Sequence, residues 1–415
     1  MAYIPRHKRH FEDGKRPVPA PCSLIPRFAR NLNLGSTSNL TKRKDQHASQ
    51  GGKIVYSKNS ISRWWAVGLT EDSHFSTSVR LEPISCEPFE RRRGEKPLTL
   101  VHEHPSGETS EVTESSLDRP WLSIPEKIHL DFETSFQSVM NVTESRESEQ
   151  VKPSFAARFG KLFFHEDSFM RLNEILKSSA DDIAPCNQVT KTFYTNVSDA
   201  YMEAIRDVVV PKIGFDFESE KEHYHVKIYD KYRPNVTISC KCSVLKDGAG
   251  LELQKASVQL NQLRHLVADI SCLDKDLDLR LMLSTKRILT ALTDEEDRGI
   301  RELLKHAVLD PRVKAGLRWP PGKETFGDRF SVVGAWHTKF KSYRGHSMRL
   351  RLRDADRLDL RTSAGEVEKE VTLKMVGISK VVRDGMAETS IVKKMLQDNL
   401  KLIWDHFLSC KCSFS

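Results

Sequence analysis

Residues Trp336–Arg353 read WHTKFKSYRGHSMRLRLR. Trp336 and Phe340 fall on one face of an extended chain, and His337, Lys339, Lys341 and Tyr343 on the other. A turn at Arg344, Gly345 and His346 follows. Beyond it Met348, Leu350 and Leu352 share one face and Arg349, Arg351 and Arg353 the opposite one. Strict period-two patterning across a glycine turn predicts an antiparallel hairpin, half packed and half polar. The same alternation recurs elsewhere. Tyr224, Val226 and Ile228 interleave with His225, Lys227 and Tyr229; Ile238, Cys240, Cys242 and Val244 with Ser239, Lys241 and Ser243; and Leu277, Leu279, Leu281 and Leu283 with Asp278, Arg280, Met282 and Ser284.

Between these strands lie helical signals. Ser198 can N-cap a helix with Tyr201, Met202, Ile205, Val208 and Val209 on one face, ended by Pro211. Thr293 and Glu296 form a capping box opening a helix with Ile300, Leu303, Leu304 and Ala307 inward. A last helix spans about 388–407. Strand runs separated by helices, without βαβ alternation, predict an α+β protein with antiparallel sheets and three main helices. The two strand sets carry an echo, Leu277–Arg280 and Leu358–Arg361, that suggests a pseudo-duplication.

Composition divides the chain into 1–50, a disordered basic tail; 51–101, a small β segment with Arg91–Gly94 as a turn; 102–153, an acidic Ser/Thr-rich linker; 154–312, a first α+β lobe; 313–387, a second antiparallel β lobe; and 388–409, a C-terminal amphipathic helix. The net charge is +8, and residues 1–50 hold ten Lys/Arg against three acids, or +7 of it. A cationic arm of this kind contacts anionic partners, nucleic acid above all. No apolar run is long enough to span a bilayer, and Met1–His10 has no apolar segment after it, so neither a membrane span nor a secretory signal is expected. Eight irregularly spaced cysteines then predict reduced thiols and an intracellular protein of cytoplasm and/or nucleus.

Several motifs dissolve on inspection. His223, His225, Cys240 and Cys242 look like a zinc set, but the histidines fall on the polar face of their strand and the cysteines on the apolar face of theirs. Gly316–Lys323 has five residues between its glycines, and Glu324 stands where a phosphate loop needs Ser or Thr; a turn with Trp319 packed down is expected instead. Cys412–Ser415 is not a prenylation box, because Ser413 is not aliphatic. No nucleophile elbow occurs. Catalytic, cofactor and metal residues are therefore none, and the chain reads as a binding protein rather than an enzyme.

The opening Tyr3-Ile4-Pro5-Arg6-His7-Lys8-Arg9 resembles the Tyr-Ile-Pro-Pro-His peptide near the N-terminus of DEAD-box RNA helicases, with Arg6 in place of the second proline and no helicase core behind it. More of the chain is similar to a plant family of uncharacterised proteins opening Met-Ala-Tyr-Ile-Pro-Pro-His-Lys-Arg-His. The shared blocks are Asn31–Leu34, Ile61–Trp65, Leu81–Ser85, Arg158–Lys161, Thr195–Asn196, Asp269–Asp274, Gly316–Pro320 and Val332–His337. That resemblance implies a domain of unknown function and no activity.

The expected surface for RNA or another nucleic acid is the hairpin, Lys339, Lys341, Tyr343, Arg344, Arg349, Arg351 and Arg353, where cations meet phosphates and an aromatic can stack on a base. Against it stands a solvated face neutralised by Asp354, Asp356 and Asp359. Two further readings are a protein partner that reads Tyr3–Arg9 as a linear motif, and an enzyme with a cleft between the strand sets.

Overall fold

In the computed structural model, residues 54–67, 79–102, 119–143, 149–165, 191–234, 236–244, 251–253, 258–383 and 389–413 are described. The tail 1–50 and its peptide Tyr3–Arg9 lie outside them. The strands are β1 (Ile54–Val67), β2 (Val79–Pro83), β3 (Leu98–His102), β4 (Glu149–Phe164), β5 (Lys191–Tyr194), β6 (Asp216–Asp230), β7 (Thr237–Val244), β8 (Leu251–Leu253), β9 (Gln259–Cys272) and β10 (Asp278–Leu289). After the short β11 (Val308–Leu309), β12 (Leu317–Arg318) and β13 (Thr325–Phe326) come β14 (Phe330–Arg344), β15 (Arg349–Asp359) and β16 (Ala364–Lys374).

The expected hairpin is β14–β15, in register from Gly334 opposite Asp359 to Arg344 opposite Arg349. Its neighbours continue the sheet in the order β9-β10-β4-β16-β15-β14-β6-β7, and β7 meets β9 again. Ser239 pairs with Gln259 at that seam, and the Thr237 amide donates to Asn261 Oδ1 at 3.3 Å. Eight antiparallel strands thus close into a barrel. The two strand sets read from sequence are two arcs of one sheet rather than two sheets. β1 lies parallel on β9 outside this circuit, from Ile54 opposite Gln262 to Val67 opposite Cys272.

The apolar faces point outward. Phe155, Ala157 and Phe159 of β4, Leu279, Leu281 and Leu283 of β10, and Leu350 and Leu352 of β15 form one cluster with helices packed outside the barrel. Those helices are α1 (Glu87–Arg93), α2 (Pro120–Thr143), α3 (Asp199–Ala204, prolonged to Lys212 through a π turn), α4 (Asp294–Lys305), α5 (Val376–Arg383) and α6 (Thr389–Leu402, prolonged by a π turn to Phe407). α1 contributes instead to a small satellite cluster through Phe89. α2 supplies Ile124, Ile128, Phe132 and Phe136, all fully buried. Each such side chain contributes ~1.5–3 kcal/mol on burial. A second cluster sets Val226, Ile228, Cys240 and Cys242 of β6 and β7 against Ile300, Leu303 and Leu304 of α4.

The cap signals hold. The Tyr201 amide donates to Ser198 Oγ at 3.3 Å, and the Thr293–Glu296 box is reciprocal. Trp319 is packed down, its Nε1 donating to Leu303 O at 2.8 Å. Three expectations need correcting. Arg91–Gly94 is the end of α1, with Gly94 (φ 78°) as its left-handed cap, because Glu87 and Pro88 start a helix that a turn reading overlooks. The 102–153 linker contains α2, whose Ile124, Ile128, Phe132, Phe136 and Val139 recur at helical spacing. The Leu-Asp-Leu-Arg echo opens β10 in one copy and closes β15 in the other, so it marks no structural repeat.

Candidate anion-binding lumen

Because alternate residues of a strand point to opposite sides, outward apolar faces leave the charged positions to the inside of the barrel. The expected hairpin surface is split by this. Lys339 and Lys341 stay outside, where their Nζ atoms lie 3.6 Å from Glu222 and from Glu220 of β6, with Asp354 opposite Lys339 in register. Tyr343 also points outward but is buried, edge-on to Phe217 at 5.8 Å. Arg344 and Arg349, at the hairpin end, share Glu218. Arg351 and Arg353 face inward.

Arg353 is ion-paired to Glu370 of β16 at 2.6 Å, with Glu368 at 3.6 Å. Arg158 of β4 reaches Glu370 at 3.9 Å, and Arg357 pairs with Glu368. Thr195 Oγ1 lies within hydrogen-bond distance of both carboxylates, at 3.0 Å from Glu368 and 3.1 Å from Glu370. Burial alone would raise the Glu370 pKa; the guanidinium groups of Arg353, Arg158 and Arg357 outweigh it and hold this carboxyl well below the usual range. Glu368 is pushed up, by burial first and by the charge of Glu370, against the opposing pull of Arg357.

Beyond this group the inner face is cationic. Lys286 of β10 has its pKa pushed down to about 7, by burial first and then by Lys374, Arg351, Arg158 and Arg353. Lys374 is lowered to about 8, by burial and then by Arg351, Arg349 and Arg158. No described carboxylate forms an ion pair with Lys286 or Lys374. The Nε atoms of Arg158, Arg264 and Arg351 are buried and make no hydrogen bond within the protein. Lys286 and Lys374 are half-buried rather than sealed.

The β6–β14 wall differs. His225 stacks on Trp336 with ring centroids 5.2 Å apart, and Arg351 lies over the Phe340 ring at 4.4 Å. His225 is held well below its usual pKa, by burial, then His223, then Lys286. His223 is lowered to about 4 by burial and then Lys241, and neither of its ring nitrogens has a hydrogen-bond partner. Cys240 and Cys242 point the other way, into the outer cluster, as the strand periodicity required. Among the described residues no group of three or more His, Cys, Asp or Glu could hold a metal ion.

Sequence reasoning found Arg351 and Arg353 but missed Lys286, Lys374 and Arg158. For two of them the signal was present: Arg158 and Lys374 each occupy a polar position between buried apolar neighbours, whereas Lys286 lies between Thr285 and Arg287 and carries no such mark. Nothing local said that this polar face turns inward.

Fold and lumen together define a closed antiparallel barrel with a cationic interior and helices packed outside. The chain belongs to the family described as a domain of unknown function, DUF7903, whose model matches residues 48–407. No curated protein matches. Among solved structures the chain is similar to the Schizosaccharomyces pombe RNA triphosphatase Pct1, at 9% identity and a TM-score of 0.40 over 74% of this chain and 100% of that one. The same enzyme in complex with the Spt5 CTD gives 8% identity and a TM-score of 0.42, over 68% and 95%. At these TM-scores the likeness carries no argument about what the chain does. No helix among the described residues is long and apolar enough to cross a membrane.

Proposed function

We propose that the barrel lumen binds a small phosphate-bearing anion. The observation that carries this is the inward-facing set Lys286, Lys374, Arg351 and Arg158, in which the two arginines oppose protonation of both lysines, with Lys286 and Lys374 lacking a carboxylate to pair with. Enclosed cations without counter-charges are costly, and a multiply charged anion removes that cost. Guanidinium groups with free Nε–H atoms suit phosphate oxygens. The interior of an eight-stranded barrel is of the size that side chains fill or that one small ligand occupies.

Inorganic tripolyphosphate tests the reading. It should raise the melting temperature of the protein at constant ionic strength, and the double variant Lys374→Met, Arg351→Gln should lose that rise while still melting cooperatively. An equal rise in wild type and double variant, or none in wild type at millimolar ligand, would overturn it.

A second reading is association with RNA through the basic tail, favoured by the ten Lys/Arg against three acids in residues 1–50. Lys339 and Lys341 would contribute only after exchanging their glutamates for phosphates. Filter binding of single-stranded RNA should weaken steeply with salt and be lost on deleting residues 1–50; retention by the truncated chain would move the site elsewhere.

A further inference from the structure

β4 and β16 pair only from Arg158 opposite Thr372 to Ala156 opposite Lys374. Past Arg158, β4 turns to β5, with Lys161 opposite Tyr194, while the rest of β16 stays on β15. The chain from Thr195 to Ser198 bridges the parting strands. The Val197 amide donates to Lys369 O at 3.0 Å, and the Lys369 amide donates to Asn196 Oδ1 at 2.7 Å. Asn196 Nδ2 donates to Tyr194 Oη at 3.3 Å and to Val367 O at 3.4 Å. This bridge leaves a cavity of about 270 Å³ beside β16. Cys86, Tyr194 and Val197 are buried in its floor, and Val367 and Ser413 stand exposed at its rim. Val367 and Lys369 alternate along β16 with the inward Glu368 and Glu370, so the cavity lies outside the barrel, on the far side of β16 from the lumen.

The cavity holds one cation and one anion, and they neutralise each other. Both carboxylate oxygens of Asp199 lie on Lys369 Nζ, at 2.5 and 2.6 Å. An ammonium has three hydrogens, so one remains for a further acceptor. The Asp199 side chain is 72% exposed and keeps lone pairs turned to solvent. Ser198 adds a hydroxyl. Donors and acceptors therefore stand side by side with no net charge. A free anion would meet Asp199 and a free cation Lys369. A zwitterion could use both only by parting a 2.5 Å ion pair. A hydroxyl group donates and accepts at once, and satisfies such a set with the pair intact.

We propose that this cavity binds a neutral polyhydroxylated ring of monosaccharide size, independently of any anion in the lumen. Lys369 and Asp199 take neighbouring hydroxyls, Ser198 takes a third, and the C–H face of the ring lies on Val197 and Val367. The Thr195–Ser198 bridge is already fixed by its hydrogen bonds, so binding orders little of the protein.

Saturation-transfer difference NMR on the full chain tests this, with the methyl α-pyranosides of glucose, mannose and galactose and with myo-inositol as probes. Melting temperature is the wrong readout, because excluded polyols stabilise any folded protein. The expected result is saturation transfer to at least one probe at about 20 mM, unchanged by tripolyphosphate. Lys369→Met keeps the side-chain stem but removes the ammonium, and should weaken binding at least about tenfold. Val367→Trp fills the mouth from an exposed strand position that tolerates an aromatic, breaks no ion pair, and should abolish the signal while the protein still melts cooperatively. Absence of transfer to all four probes in the wild type would overturn the proposal, as would equal transfer in wild type and Val367→Trp. Loss of the signal on adding tripolyphosphate would move the binding to the lumen, and displacement of the bound probe by free serine would give the cavity to amino-acid zwitterions; either result overturns it too.

Discussion

Lys286 and Glu370 show how one lumen sets two side chains in opposite directions. For Lys286 the folded-state pKa is about 7 against an ordinary 10.5. Between those values the unfolded chain binds more protons than the folded one, so this residue adds stability as pH rises through that window, and its penalty is complete below it. Urea unfolding of wild type and Lys286→Met should therefore diverge most at about pH 6.5, with the variant the more stable, and converge toward about pH 10.5. Glu370 works the other way. Its carboxyl is held low, so its contribution is present above the ordinary carboxylate range near 4.5 and is lost as pH falls toward the depressed folded value. Glu370→Gln leaves Arg353 and Arg158 facing each other with Glu368 alone to share, and should destabilise by about 3–5 kcal/mol at pH 7, measured by chemical denaturation.

At the scale of elements, the outer helices and the strands they cover are coupled by close contacts. Gly160 of β4 faces the β5 backbone so closely that a Cβ there would lie 2.1 Å from Tyr194 O. Gly160→Ala must part β4 from β5, where Lys161 pairs with Tyr194, and should cost at least about 1–3 kcal/mol. α2 is covered for the same reason that it was overlooked. Its apolar positions are interleaved with Glu126, Asp131 and Glu133, so the segment has linker-like composition but an apolar stripe. Phe132 packs against Phe155 of β4 at 4.6 Å, and Phe132→Ala should cost about 3–5 kcal/mol, seen as an equal loss at every probe if α2 and barrel unfold together. Strand positions, helix caps and the apolar faces of the helices were legible because each depends on neighbours two to four residues away. The parallel seating of β1 on β9 was not, because a partner two hundred residues distant leaves no local trace.

For the molecule as a whole, closure of the barrel changes what the alternation means. A half-polar strand in an open sheet puts its charges in water. The same strand in a closed barrel with helices outside puts them in the lumen. This is why the seven hairpin residues expected to form one surface lie in three places: Lys339, Lys341 and Tyr343 outside, Arg344 and Arg349 at the hairpin end, Arg351 and Arg353 within. A saturating anion should stabilise the whole barrel by mass action, by about 2.7 kcal/mol at a hundred times its dissociation constant. Calorimetry with tripolyphosphate should show that increment as a single shifted transition.

The sequence by itself determined the period-two strands, the capped helices, the opposite facing of the histidine and cysteine pairs and the basic character of the first fifty residues, since these follow from local periodicity, cap chemistry and charge. Only the tertiary structure decided that β9 meets both β10 and β7, and therefore which side of every strand is inside. That contact joins Ser239 to Gln259 and closes the circuit. A side chain's environment is a property of the closed surface, and no single strand encodes it.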